Sequence, residues 1–377
     1  LVCISYTDDW YENLSLPQKS LFLMIGSIIA WILTIFFTLI TLLPLVKSDY
    51  WIFRVLEYPR LQKLVIGFLC LITIFFLRSS VESVFPFLFA AVLGCCIYLV
   101  VKIIPYTALA PKEMAVSKNR SQDSDLKVFT ANVLQTNKEY GKLLQQIRQT
   151  NPDLVFLVET DTAWDEAVKE INEKYPFTIK KPLDNTYGLL FFSRFPLKNS
   201  KVLFRTDDEV PSIETEVQLP SGQWIRVFGL HPKPPVFNES LYSTAKDKEL
   251  MKVAFEVEKE SKPCIVMGDL NDVAWSYVTE LFRKVSGLLD PRRGRGFYST
   301  FSADNWLVRF PLDYIFCSRH FGLINMKRMP HNGSDHFAMF IHLQLDPSLE
   351  KVQEEPETDK EEREDAVEKA SANVPAE

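Results

Sequence analysis

CIVMGDLND, residues 264–272, reads as an apolar strand that runs without a break into a glycine, two aspartates and an asparagine. Asp269 and Asn271 are two positions apart, so in an extended segment both project to one side. A carboxylate that can take a proton from water, beside an amide that can donate to a phosphate oxygen, suits attack on phosphorus. The alternative is a plain turn, because Gly, Asp and Asn are common turn formers. On either side of this strand the hydrophobic period is helical, with Leu250, Val253, Ala254 and Val257 before it and a helix from Trp275 to about Ser286 after it.

The same alternation extends outward. LKVFTANV (126–133) reads as a strand followed by Tyr140, Leu143, Leu144 and Ile147 at helical spacing. DLVFLVE (153–159) is a second strand, followed by Trp164, Ala167, Val168 and Ile171. GLLFFS, KVLFR, SIETEVQL and QWIRVFGL then read as strands, as do GFYSTF, DYIFCS and HFAMFIHLQL near the end. Strand–helix alternation early and strand–strand pairing later predict an α/β layered fold whose sheets pack face to face under helices.

Polar residues stand at the ends of these strands. Asn132 closes the first, Glu159 the second, and His231 the strand QWIRVFGL. In GSDH (333–336), Asp335 and His336 are adjacent and should serve different partners, one a metal and one the substrate. In LDYIF (312–316), Asp313 opens an otherwise apolar strand and needs a partner, for which a histidine is suited. His320, His331 and His342 have no such setting and read as ordinary surface or core histidines.

TANV, VET, GLHP, GDLND, LDYIF and SDH, taken in this order over about Leu126 to Leu345, resemble the endonuclease/exonuclease/phosphatase superfamily. An N-terminal apolar region before such a domain, with the histidine motif written HPKPP, is similar to a group of bacterial membrane proteins of that superfamily. The resemblance implies a four-layer α/β sandwich with the site at one edge of two packed sheets. It implies that Glu159, helped by Asn132 and Asp335, holds a divalent cation, Mg²⁺ or Mn²⁺. It implies that Asp269 orients or deprotonates the attacking water and that Asn271 holds the water or the phosphate. His231 and His336 would then contact the non-bridging oxygens, with Asp313 fixing the tautomer of His336. Some relatives supply a carboxylate to the first histidine; here Asp184, Glu214 and Glu216 are the candidates.

For substrate contacts, PRRGRGFYSTF (291–301) sets Arg292, Arg293 and Arg295 beside Phe297 and Tyr298, a combination able to grip a phosphate backbone and stack on bases. Arg194 and Lys233 could equally hold a compact anionic headgroup. Nucleic acid and a membrane phosphodiester are both candidate substrates.

Composition adds an anchor and a tail. Of the 377 residues, 47% are hydrophobic, which excludes a wholly disordered chain. Leu21 to Val46 is an uncharged apolar run, and shorter ones cover residues 61–77 and 85–106. At about 1.5 Å per residue these read as three transmembrane helices, the second alternatively re-entrant or interfacial. The opening residues 1–20 are acidic and aromatic, unlike a cleaved signal, and the true start could lie as late as Met24. Lys47, Arg54, Arg60, Lys63, Lys112, Lys118 and Arg120 outnumber Lys19 and Arg78 on the other side, which predicts a cell-membrane protein with its large domain in the cytoplasm. Residues 107–125 read as a linker and 126–345 as the catalytic domain. Residues 346–377 read as a disordered tail with 12 acidic and 4 basic residues. The formal charge of -6 therefore belongs to the tail, and the near-neutral remainder lacks the basic stripe of a tight duplex binder. Three functions stand: a membrane-anchored metal-dependent phosphodiesterase or nuclease, a phospholipid or small-molecule phosphoesterase using the same site, and a catalytically silent scaffold.

Overall fold

In the computed structural model, residues 15–117 and 121–375 are described, and they divide into two units. The first runs to Ser48 and resumes at Pro59–Ile103; the second joins Asp49–Tyr58 to everything from Ile104 onward. The first 14 residues of the expected leader, and Lys118 and Arg120 of the charge count, lie outside the described residues.

The first unit contains α1 (Leu16–Leu42), α3 (Arg60–Phe76) and α4 (Phe85–Ile103), and the short α2 (Trp51–Val55) belongs to the second. The three apolar helices bury Ala30, Phe37, Cys70, Ile74, Val92 and Leu99 against one another. Two stretches among the described residues, Leu16–Leu45 and Phe85–Tyr106, are long and apolar enough to cross a membrane. This corrects the expectation of three. The middle helix has 17 residues and spends its first turn on Arg60, Gln62 and Lys63, so its apolar part is too short.

The second unit follows the chain as β1 (Asp125–Asn132), α5 (Tyr140–Thr150), β2 (Leu154–Val158), α6 (Thr162–Ala167), β3 (Phe177–Lys181), β4 (Leu189–Ser193), β5 (Leu197–Phe204), β6 (Pro211–Gln218) and β7 (Trp224–Leu230). It continues with α7 (Thr244–Glu258), β8 (Cys264–Asp269), α8 (Tyr277–Ser286), β9 (Asp313–Cys317), β10 (Phe321–Arg328), β11 (Met339–Leu345) and α9 (Lys360–Ser371). One sheet has the order β10-β11-β1-β2-β4-β3 and the other β5-β6-β7-β8-β9.

The period of two sorts side chains between layers. Val128, Leu154, Phe156 and Val158 meet Val227, Ile265 and Met267 between the sheets. Their neighbours Phe129, Ala131, Val155 and Leu157 turn outward onto Leu143, Leu144, Ile147 and Trp164 of α5 and α6. On the other side, Phe228 and Val266 pack against Leu250, Val253, Leu281 and Phe282 of α7 and α8. The result is helix, sheet, sheet, helix, as expected. GFYSTF is not a strand: it is an irregular stretch tied by single bridges from Phe301 to Phe310 and His336.

The sheets approach closely because of two glycines. A methyl group at Gly229 would sit 2.7 Å from Cζ of Phe156, and one at Gly268 would sit 3.0 Å from its Cε1. The ring of Phe156, fully buried on β2, therefore lies over bare backbone of β7 and β8. Gly268 also has φ +132° and would drive a methyl group into the Leu230 carbonyl, so no other residue fits there without strain.

The segment expected as linker packs on the second unit. Met114 is fully buried, and Leu323 N–H donates to Ala115 O at 2.9 Å. The acidic tail is likewise not disordered. Asp359 and Glu362 form a capping box that starts α9, Ala366 is buried, and Arg363 and Lys369 pair with Glu258 and Asp247 of α7. Its composition lacks large apolar residues, but a capped helix with one small-residue stripe and acidic partners for its Arg363 and Lys369 can still dock.

Phe156→Ala should lower the stability of this unit by about 3–5 kcal/mol, the cost of deleting a buried aromatic side chain. Urea unfolding followed by tryptophan fluorescence measures it, and a loss below about 1 kcal/mol would show that the sheets close over the gap.

Candidate active site

Sheet topology gathers the polar strand ends. β1 and β2 are parallel, with Asn132 opposite Val158, and β7 and β8 are parallel, with Leu230 opposite Gly268. Their carboxyl ends present Asn132, Glu159, His231 and Asp269. β9 and β11 run antiparallel to β8 and β1, so their starts, at Asp313 and just after His336, lie at the same edge. Asp269 and Asp313 face each other in register.

One amide bridges the sheets. Asn132 Nδ2 donates to Glu159 Oε1 at 2.6 Å and to Asp269 Oδ2 at 3.1 Å. Its own Oδ1 accepts the Leu134 N–H at 3.0 Å, which fixes the orientation of the side chain. Glu159 stands at φ +59°, in the left-handed region that a side-chain-bearing residue adopts at a cost. Burial pushes its carboxyl up to about 7 against the Asn132 hydrogen bond, and the nearby Asp335 and Asp269 charges add to the rise.

His336 carries the positive charge of the site. Its Nδ1 is 2.8 Å from Asp313 Oδ2 and its Nε2 is 3.5 Å from Asp269 Oδ2. Burial alone would depress the imidazole, but Asp313 and Asp269 outweigh it and raise it to about 10. Ser334 ties this segment to β1: its hydroxyl donates to Asn132 O at 2.8 Å and accepts the His336 N–H at 3.0 Å. Phe301 covers the ring of His336 at 5.0 Å. His231 is the opposite case: it is buried, its Nδ1 has no hydrogen-bond partner among the described residues, and burial lowers it to about 4, so it is neutral at neutral pH. Burial raises Asp269, with His336 opposing and Asp313 adding.

Asn271, at φ +50°, donates its N–H to Asp269 Oδ1 and its Nδ2 to Pro232 O, each at 2.9 Å. It thereby joins the Asp269 loop to the segment after His231. Asp335 is partly exposed beside this cluster. Ligand atoms of Asp269, Asp313 and His336 lie within 4.8 Å of one another and could hold a metal ion. The short Asp313–His336 contact favours a hydrogen-bonded relay in that trio, which leaves Glu159 and Asp335 as the freer oxygen donors.

The basic residues expected to bind substrate are placed differently. Arg194 follows β4, whose Ser193 end pairs with Leu154, so it lies at the far end of the sheet from Glu159 and binds Asp153 at 3.3 Å. Arg292 is buried on Asp290 at 2.8 Å with its guanidinium 4.0 Å above the Tyr314 ring. Arg293 pairs with Glu280 and Glu113, and Arg295 donates to Pro291 O and Met114 O. These four arginines brace the scaffold, because each finds an acidic or carbonyl partner within the fold. Lys233, two residues beyond His231, pairs with Asp207 at 2.6 Å and stays near the site. Glu214 and Glu216 are engaged by Lys201, Arg205, Arg226, Lys198 and Lys262, and Asp184 is exposed, so none is the expected carboxylate for His231. What faces His231 is the ring of Tyr187 at 5.3 Å, whose hydroxyl donates to Glu239 at 2.6 Å. No spacing in the sequence singles out Tyr187, Ser334 or Phe301; only the fold brings them to the edge.

A profile of the Endonuclease/Exonuclease/phosphatase family matches residues 129–336, more than half of the chain. Among solved structures, a humanized D. rerio TDP2 is 18% identical, covering 59% of this chain and 99% of its own, with a TM-score of 0.48. The human Nocturnin catalytic domain with bound sulfate is 19% identical, covering 59% of this chain and 94% of its own, with a TM-score of 0.48. An endonuclease/exonuclease/phosphatase from Beutenbergia cavernae is 16% identical, covering 59% and 72%, with a TM-score of 0.48. No curated protein matches the chain.

Because Asp313 holds His336 up, Asp313→Asn should drop the His336 titration from about 10 toward the ordinary value near 6.5. Histidine ring carbon shifts followed against pH measure this. The sign is that of a raised cation: the pair's stabilisation is whole below about 6.5 and disappears as pH rises through the folded value. An unchanged titration in the variant would assign the charge to another partner.

Proposed function

The chain belongs to the Endonuclease/Exonuclease/phosphatase family, and from that premise we propose that it is a divalent-metal-dependent phosphoesterase that hydrolyses a phosphodiester by in-line attack of water. Members of the family are hydrolases of phosphoester bonds. The observation that carries the proposal is the convergence of Asn132, Glu159, His231, Asp269, Asn271, Asp313 and His336 on one sheet edge, with Asn132 bridging two carboxylates.

The residues present fit a hard cation. Glu159 and Asp335 offer oxygen donors, and burial, the main cause of the raised Glu159 carboxyl, leaves an ionised form that a cation would stabilise. A Mg²⁺ or Mn²⁺ ion held by Glu159 and Asp335, with Asn132 beside them, would supply charge neutralisation at the phosphoryl oxygens. Asp269, its Oδ1 held by the Asn271 N–H, is placed to orient a water and take its proton. His336, charged and steadied by Asp313, donates from Nε2 toward a phosphoryl oxygen, and neutral His231 offers a second donor. Such an arrangement stabilises the transferring phosphoryl group without a covalent enzyme intermediate.

With Arg292, Arg293 and Arg295 committed to the scaffold, a phosphoester carrying an apolar portion, such as a phospholipid, is a second candidate substrate beside nucleic acid. The observation that favours it is a pair of exposed aromatic residues on loops that lead away from the site residues. Trp306 is 75% exposed on the loop that leaves Phe301, and Phe237 is 68% exposed on the loop that leaves His231. The two helices long and apolar enough to span a bilayer support a membrane-anchored enzyme. Headgroup release from vesicles against plasmid nicking separates these two substrates.

With Mg²⁺ and bis-p-nitrophenyl phosphate, Asp269→Ala and His336→Ala should each lower kcat about 10²–10⁴-fold, and chelation with EDTA should abolish turnover. Wild-type rates in either variant would overturn the mechanism. Since burial raises the Glu159 carboxyl to about 7 and Mg²⁺ takes its ionised form, half-saturation by Mg²⁺ should fall as pH rises from about 6 to 8, and Glu159→Gln should remove that dependence.

A further inference from the structure

Residues Asp49–Tyr58 lie between two apolar helices in the chain, yet they are built into the catalytic unit. Backbone bonds fasten the start of the segment: Trp51 N–H donates to Leu241 O at 2.9 Å, and Ser243 N–H donates to Asp49 O at 2.8 Å. A buried ionic cluster fastens its middle. Arg54 binds Asp49 at 3.1 Å and Asp247 of α7 at 3.7 Å, and Lys369 of α9 binds Asp247 at 3.1 Å and Asp49 at 3.4 Å. Its end reaches the loop that follows β8. Trp275 Nε1 donates to Glu57 O at 2.9 Å, and the Tyr58 hydroxyl donates to Asn271 O at 2.8 Å.

That last bond falls on a demanding residue. Asn271 has φ +50°, a conformation whose cost must be met by surrounding contacts. Its N–H holds Asp269 Oδ1, its side chain holds Pro232 O, and its carbonyl is held by Tyr58. Residues next to it are pinned as well, with Tyr314 OH on Asp272 O at 2.8 Å and Lys246 on the Asp272 carboxylate. The Tyr58 ring is set by an edge contact with Phe310 at 5.7 Å, so its hydroxyl has a fixed aim.

We infer that Tyr58 is a positioning residue of the active site: through the Asn271 carbonyl it holds the left-handed Asn271, and so the Asp269 carboxylate, in the orientation needed for attack. This rests on the assignment of Asp269 and Asn271 to the reaction. The segment between the first two apolar helices is then part of the catalytic machinery as well as a connection.

The test is Tyr58→Phe in the full chain, which keeps the ring against Phe310 and removes one hydroxyl. With Mg²⁺ and bis-p-nitrophenyl phosphate, kcat should fall about tenfold with KM within about twofold. The thermal midpoint should stay within about 3 °C, while amide hydrogen exchange at residues 269–272 speeds up. Wild-type kcat together with wild-type exchange overturns the inference. A fall in kcat that tracks a general loss of thermal stability, without local change at 269–272, also overturns it, since that is a purely structural role. If the wild-type chain hydrolyses no phosphoester, the proposed function fails, and the exchange comparison still decides whether Tyr58 holds the loop.

Discussion

The seat of Phe156 over Gly229 and Gly268 governs how near the two sheets can come. With any larger residue at either glycine, the β7 and β8 backbones would stand off from β2. Asn132 would then no longer span the distance between Glu159 on one sheet and Asp269 on the other. Packing in the middle of the sandwich thus sets a hydrogen-bond length at its edge. Interiors packed as tightly as crystals transmit such constraints with little slack.

Charge is the second constraint. Glu159, Asp269, Asp313 and Asp335 share one edge with a single strongly basic imidazole, and the fold separates their tasks by environment. Asp313 is committed to His336, Asp269 is shared among His336, the Asn132 amide and the Asn271 N–H, and Glu159 is left raised by burial with the Asp335 charge adding. His231 stays neutral because burial is the largest influence on it. Two histidines in one site thereby hold different protonation states.

Much of this was legible in the residues themselves. An apolar strand that ends or opens on a polar residue announces that this residue sits at a sheet edge, and CIVMGD, DLVFLVE and LDYIF all bring theirs to the same edge in the fold. The Asp313–His336 pairing also follows from the need of a buried carboxylate for a partner. Arginines misled for a physical reason: the same side chain that can bind phosphate also braces loops, and only the three-dimensional positions of Asp290, Glu280 and Asp153 decide between the two. The tail misled because composition counts side chains, whereas the capping box of Asp359 and the acidic partners of Arg363 and Lys369 on α7 depend on order and place. Tyr187 and Tyr58 reach their positions through long-range contacts that no local pattern encodes.

The catalytic unit is discontinuous, and that has a consequence for how the protein is made. Asp49–Tyr58 leaves the ribosome long before Asp247 and Asn271, and Lys369, which completes the ionic cluster around Arg54, follows later still. The early segment must wait, exposed, while about two hundred residues are synthesised, at rates of roughly 5–20 residues per second. Only when α9 emerges can Lys369 complete the ionic cluster that Arg54 and Asp247 begin, so an early segment of the unit is locked in place by one of its later elements.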